Sequence, residues 1–272
     1  MDGIDETDVS QAILDAYHAS FVQALRSDVI VVGAGPSGLV AAGRLAGKGL
    51  TVVLLERRLS PGGGIWGGSL GMNEVVVQAE ALPLLDGAGI RHQEAAHGLH
   101  TVKAVELASA LCLGAVQAGV TFLNLMTAED VCVHGSRLTG VVGNRSWLAE
   151  GLPIDPITFS AKAVIDATGH EAALVQCLRR RRLLRNLSGD EPVGEGPMDA
   201  AAGEQFVVEN VSEIFPGLWV TGMSVCASLG GPRMGPIFGG MLRSGARAAE
   251  QVAAALMEQH TGNHKRKDHA NV

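Results

Sequence analysis

Aromatic residues are scarce in this chain: one Tyr, three Trp and six Phe among 272 residues, 4% in all. Glycine is abundant instead, with 36 residues. That balance suits a tightly turned α/β protein whose backbone comes close to a ligand in several places. The four cysteines, at 112, 132, 177 and 226, never fall in a CxxC spacing, so neither a zinc ribbon nor a disulfide framework is indicated. An excess of positive charge is also missing. The formal net charge of −7 argues against general binding to the phosphate backbone of nucleic acid. No apolar run reaches the roughly 18 residues of a spanning helix, and no signal peptide opens the chain. The expectation is a cytoplasmic protein that engages neither membrane nor nucleic acid. With 47% hydrophobic and 18% charged residues it reads as globular, and its length suits one large α/β domain.

Helical spacing covers 8–25, with Asp8 or Ser10 as the expected cap. The stretch DVIVVGAGPSGLVAAGRLAGKGLTVVLLERR reads as buried strand, glycine turn, helix and second strand. It forms a βαβ unit ending at Glu56. A glycine-dense loop, 60–73, is too long for a simple connector. Further along, the pattern predicts a helix over 103–119, a parallel strand in GVTFLNLM, and a hairpin about His134-Gly135-Ser136. A buried strand in AKAVIDATGH, a helix over 171–184 and a core strand at 218–223 follow. The polar, Gly-rich 186–206 reads as a loop or lid. A closing helix over 235–258 is begun by Gly-Pro, and 261–272 reads as a disordered polar tail. No repeat or linker divides the chain, so 1–260 reads as one dinucleotide-binding domain with a small β-hairpin insertion.

Gly33-Ala34-Gly35-Pro36-Ser37-Gly38 matches GxGxxG between a buried strand and a helix. Such glycines let the backbone approach a pyrophosphate, and the helix N-terminus stabilises its charge. Glu56, eighteen residues after Gly38, is placed to accept the ribose hydroxyl protons. An ADP-containing ligand follows. VIDATGH and PGLWVTGM stand where flavoproteins of the two-dinucleotide Rossmann architecture carry their later signatures. The second of these normally ends Gly-Asp; here Gly222 is followed by Met223. The fold is flavoprotein-like, but the carboxylate that supports a flavin is missing. In GLPIDPITFSAKAVIDATGH (151–170), Asp155 and His170 are either a metal pair or two unrelated residues, a turn starter and a helix-start residue.

ERRLSPGGGIWGG, DPITFSAKAVIDATGH and PRMGPIFGGMLRSG together resemble the thiamine thiazole synthase family in its archaeal and bacterial form, across about residues 10–258. The resemblance implies that NAD is a substrate. Nicotinamide leaves, the ADP-ribose isomerises to a ketose, and glycine condenses with it as an imine. Sulfur enters, and dehydration closes an ADP-linked thiazole carboxylate. It further implies that Asp155 and His170 are Fe(II) ligands, contributed by neighbouring subunits, and that Arg233 holds the glycine carboxylate. Gly64 would belong to a loop closing over the ribose or diphosphate, together with Trp66. Arg57 would contact the adenosine or be solvated, Met223 and Met234 would line the ligand, and Val131 would offer backbone atoms to the adenine. A homo-oligomer, commonly an octamer, is implied as well.

Pro153 stands where eukaryotic members carry the cysteine that surrenders its own sulfur, and where many archaeal members carry His. Proline has no sulfur to give, so external sulfide is the expected source. Cys226 is the cysteine nearest the proposed site in sequence. The basic run LRRRRLLR (178–185) reads as a solvated or intersubunit face. Three other readings share the glycine turn. A flavin-dependent oxidoreductase would purify yellow, a non-catalytic nucleotide sensor would need none of Asp155, His170 and Arg233, and a paralogue would make a related sulfur heterocycle.

Overall fold

A computed structural model of the protein describes residues 3–68, 70–148, 154–184 and 194–269, with side chains of the last helix described as far as residue 259. The first helix, α1 (Glu6–Ala24), is capped by Asp5, whose carboxylate accepts the amide proton of Thr7. The cap therefore lies upstream of Asp8 and Ser10, and Asp8 instead adds negative charge to the helix's first turn. Next come β1 (Arg26–Val32), α2 (Pro36–Ala46) and β2 (Val52–Glu56). The two strands run parallel, Val29 opposite Val52 and Val32 opposite Leu55. All five residues of β2 are buried, which explains its unbroken apolar run.

Residues 74–103, for which the sequence pattern gave no element before 103, form β3 (Glu74–Gln78), α3 (Leu82–Gly87), β4 (His92–Glu94) and β5 (Leu99–Lys103). The strands make a separate antiparallel sheet in the order β3-β5-β4. Its apolar cluster includes Val75, Val77 and Val102. These strands are only three to five residues long, too short for alternation to stand out.

The next helix is α4 (Ala104–Gln117). The strand expected in GVTFLNLM is two strands, β6 (Thr121–Asn124) and β7 (Met126–His134), separated at Leu125. Leu125 has φ +54°, and its amide donates to the carbonyl of Arg58. That turn ends the parallel strand and starts the hairpin of β7 with β8 (Arg137–Arg145). The hairpin then joins the main sheet through β9 (Ile157–Asp166).

The helix expected over 171–184 is the shorter α5 (Ala173–Arg180), after a single 3-10 turn at Gly169–Glu171. Within the expected loop 186–206, residues up to 193 lie outside the described structure. The remainder forms β10 (Gly196–Met198) and most of α6 (Ala200–Glu209), capped by Asp199 on the amide of Ala202. Then come β11 (Ser212–Phe215), β12 (Leu218–Val220), α7 (Met223–Leu229), β13 (Pro232–Arg233) and α8 (Gly239–His269). Gly235-Pro236 precedes α8 rather than opening it, because Ile237 and Phe238 are tied to Val76 of β3. α8 runs on to His269, so the segment from 261, expected as a disordered tail, continues the helix; 270–272 lie outside the described residues.

The main sheet has the order β11-β12-β9-β1-β2-β6. β9 is its pivot. One edge pairs with β1, while the other is shared by β8 along its first half and β12 along its second. The chain leaves β1 for β2 on one side and returns as β9 on the other. This reversal opens a crevice at the carboxyl ends of the three strands.

Candidate functional site

A cavity of about 700 Å³ opens at that crevice. Its back wall is the turn after β1. Gly33 has φ +101°, and a Cβ there would stand 2.4 Å from the carbonyl oxygen of Ala167. A Cβ on Gly38 would lie 2.0 Å from the carbonyl oxygen of Gly33. Gly35 differs, since nothing lies within 4 Å of the place its Cβ would take. The first glycine makes the bend, the third lets α2 pack against it, and the middle one leaves room at the cavity. Gly35 is also the N-cap of α2 and supplies no side-chain cap, so the helix's first amides are left for an anion. Ser37 lies buried in the first turn of α2 and lines the cavity with Gly33, Gly35 and Pro36.

Glu56 ends β2 at the cavity and is 6% exposed. One oxygen accepts from the amide of Ala34 and the other from that of Arg58, both at 2.8 Å. These two bonds fix the carboxylate and leave lone pairs on both oxygens for ribose hydroxyls. Gly64 lies on the rim in a 3-10 turn, Gly63–Gly67. The loop is bolted to the phosphate turn by the amide of Gly62, which donates to Ala34 O at 2.7 Å. Trp66 does not reach the cavity; its indole N–H donates to Pro61 O at 2.6 Å. Met223 and Met234 both line the cavity and are buried. Met223 thus presents an apolar surface where the flavoprotein signature has a carboxylate.

Charged side chains also line the cavity. β9 ends at Asp166, which is wholly buried. Its carboxylate accepts from the hydroxyl and amide of Thr168, the hydroxyl of Ser224 and the amides of Leu174 and Val175, at 2.7–3.2 Å. Burial pushes its pKa up, against these hydrogen bonds. The bonds fold the segment after β9 into a fixed turn that carries His170 to the cavity. Nδ1 of His170 lies 2.6 Å from Glu195 Oε1, and Nε of Arg233 lies 3.4 Å from Glu195 Oε2. The carboxylate side chain is 11% exposed, against 59% for His170 and 54% for Arg233. Arg57, also on the rim, pairs with Glu171 at 2.6 Å.

Glu195 went unrecognised in the sequence because it sits in a polar, Gly-rich stretch. What places it is the short parallel pairing of β10 with β13, in which Met198 faces Arg233. No spacing rule signals a pairing of that kind.

Two expected site residues stand elsewhere. Val131 lies within β7, paired with Val141 of β8 and packed in the main core. It is the start of β7, from Met126 to Ala128, that lines the cavity. Asp155 is exposed and precedes β9, whereas His170 follows it. The strand between them, ten residues long, spans roughly 30 Å at the usual rise per residue. Within one chain the two are not brought together, and among the described residues no three His, Cys, Asp or Glu cluster as a metal site. Pro153 lies outside the described residues.

The basic run is partly spoken for. Arg181 pairs with Asp130 on β7, and Arg179 donates to Ser228 O at 2.7 Å. Cys177 and Cys226 are buried, Cys112 and Cys132 half-buried. Burial lifts all four thiols, Cys112 and Cys226 to about 11.

The crevice at the strand reversal, the glycine turn and the buried Glu56 at the end of β2 define an α/β protein of the Rossmann-type dinucleotide-binding fold. Residues 10–238 match the Thi4 family, and the chain belongs to it. The thiamine thiazole synthase of Pyrococcus abyssi is 46% identical over 254 residues, covering 92% of this chain and 98% of that one. Its counterpart in Thermotoga maritima is 45% identical over 251 residues, covering 91% and 97%. The crystal structure of Thermovibrio ammonificans THI4 superposes with a TM-score of 0.88 at 42% identity, covering 94% of this chain and 99% of that one.

Proposed function

We propose that this protein is a thiamine thiazole synthase that consumes NAD as a substrate, together with glycine and external sulfide, and depends on Fe(II). The observation that carries the reading is the meeting of two unlike surfaces in one cavity. A backbone cradle for a dinucleotide, Gly33–Gly38 with Glu56, lines the same cavity as His170 and Arg233. A plain nucleotide binder needs the first and has no use for the second.

The roles follow from the residues. Gly33, Gly35, Ser37 and Gly38 take the diphosphate, and Glu56 the ribose hydroxyls. Glu195 comes nearest Arg233 at Nε, 3.4 Å away, on the side of the guanidinium away from the edge that would fork onto the glycine carboxylate. Met223 and Met234 supply the apolar wall, and Arg57 with Glu171 borders the ligand. His170 suits Fe(II): its Nδ1 is engaged by Glu195, so Nε2 is the nitrogen left for a metal. Asp155, at the far end of β9, would reach that metal only from another copy of the chain. The site is therefore composite, in keeping with a homo-oligomer, an octamer by family resemblance. Bound there, Fe(II) would supply Lewis-acid assistance to proton transfers beside a carbonyl or imine.

Sulfur comes from outside the protein. Pro153 has none, and burial shifts all four cysteine thiols away from the reactive thiolate. Among the described residues no helix is long and apolar enough to cross a membrane, and a cytoplasmic location fits the proposed metabolism.

Anaerobic incubation with NAD, glycine, sulfide and Fe(II), followed by mass spectrometry, tests the proposal. An adenylated thiazole carboxylate over several turnovers, with unchanged intact protein mass, is the expected result. Its absence overturns the function, and dehydroalanine at any cysteine overturns the sulfur source.

A further inference from the structure

Glu195 is shielded, yet it touches two side chains that are each more than half exposed. A carboxylate between an imidazole and a guanidinium has a definite chemical consequence. It only accepts hydrogen bonds, so the proton on His170 must sit on Nδ1, and the Nε2 lone pair faces away from Glu195. Its second oxygen forms an ion pair with Arg233, nearest at Nε, 3.4 Å away, which favours turning the other edge of the guanidinium to a ligand. The support for Glu195 is local. Gly196, its neighbour in β10, donates its amide to Gly231 O at 2.8 Å and pairs with Pro232, next to Arg233. The same two-stranded pairing thus holds both the carboxylate and the arginine.

We propose that Glu195 is a positioning residue that sets His170 with one oxygen and Arg233 with the other, so that the metal-facing nitrogen and the carboxylate-binding fork are aligned by a single side chain. The inference rests on the function proposed above. It adds that metal affinity and glycine recognition are coupled through Glu195, although neither ligand touches it.

Glu195→Gln tests this, because it preserves volume at a site near the surface while removing the charge and one acceptor. The assembled wild-type and variant proteins are titrated with Co(II), following ligand-field absorption; the KM for glycine and the dissociation constant for NAD are measured beside it. Loss of a partner that orients a metal-bound histidine costs about 10–100-fold in metal affinity. The expected result is a loss of that size, a several-fold rise in the glycine KM and an unchanged NAD constant. Wild-type Co(II) affinity in the variant overturns the proposal. A normal glycine KM with weakened metal binding overturns the coupling to Arg233. A parallel loss of NAD binding makes Glu195 merely structural. If the wild-type protein binds no Co(II) and forms no thiazole, it is the underlying function that fails.

Discussion

Around Gly33–Gly38 the cavity surface is mostly backbone, and around His170 and Arg233 it is side chain. The first region is buried, fixed by close contacts such as the one a Cβ on Gly38 would violate. The second is half exposed and fixed by ion pairs. Binding a dinucleotide needs only a rigid concave surface with amides and a carboxylate, which one βαβ unit supplies. The chemistry proposed here needs a metal ligand and a carboxylate fork on an open face, where another subunit can add Asp155. One region is complete in a single chain; the other, on the proposed function, is half of a site.

Substitutions sharpen the contrast. The largest effect is expected at the backbone cradle. Gly38→Ala places a methyl 2.0 Å from the Gly33 carbonyl oxygen, and the turn must move. A loss of more than about 3 kcal/mol in unfolding free energy is expected, with loss of NAD binding, read by chemical denaturation and calorimetric titration. An unchanged stability would show that the turn is softer than its contacts imply.

On the rim, His170→Ala should leave stability and NAD binding intact while product formation falls at least about a hundredfold, about 2.7 kcal/mol in the barrier. Asp155→Ala should do the same although it lies at the other end of β9. Mixing the two inactive variants, unfolded and refolded together, should restore part of the activity if the site is shared between subunits. No recovery would count against the composite site.

Asp166 joins the two regions, since it is buried like the cradle and holds the turn bearing His170. Asp166→Asn replaces an acceptor with a donor facing amides and hydroxyls. A cost of about 2 kcal/mol is expected from the unsatisfied groups, with weakened metal binding. A drop in stability without any change at His170 would separate the two.

The smallest effect is expected at Lys162, paired with Asp28 at 2.7 Å on the sheet's surface. Burial raises the pKa of Asp28, but hydrogen bonds from Lys162 and Thr51 outweigh it and the net shift is downward. A depressed carboxyl stabilises the fold above its unfolded pKa, near 3.9, and loses that contribution as pH falls through the folded value. Lys162→Met should therefore cost under about 1 kcal/mol at pH 7 and progressively less as pH falls through the folded value, followed by urea denaturation across that range.

What the sequence alone determined is whatever depends on neighbours along the chain. The run from Val29 to Glu56 had to be a strand, a glycine turn, a helix and a strand, because its periodicities and glycine spacing allow little else. The Met after Gly222 and the Pro at 153 are chemical facts of the same local kind. Tertiary structure decided the rest. It split GVTFLNLM at Leu125, so that Met126–Ala128 rather than Val131 meets the cavity. It set Asp155 and His170 at opposite ends of one strand. It seated Glu195 between His170 and Arg233 through a pairing of two strands only three and two residues long. Such contacts join residues distant in sequence, and no local pattern encodes which ones will meet, because their energy exists only once the surrounding chain has folded.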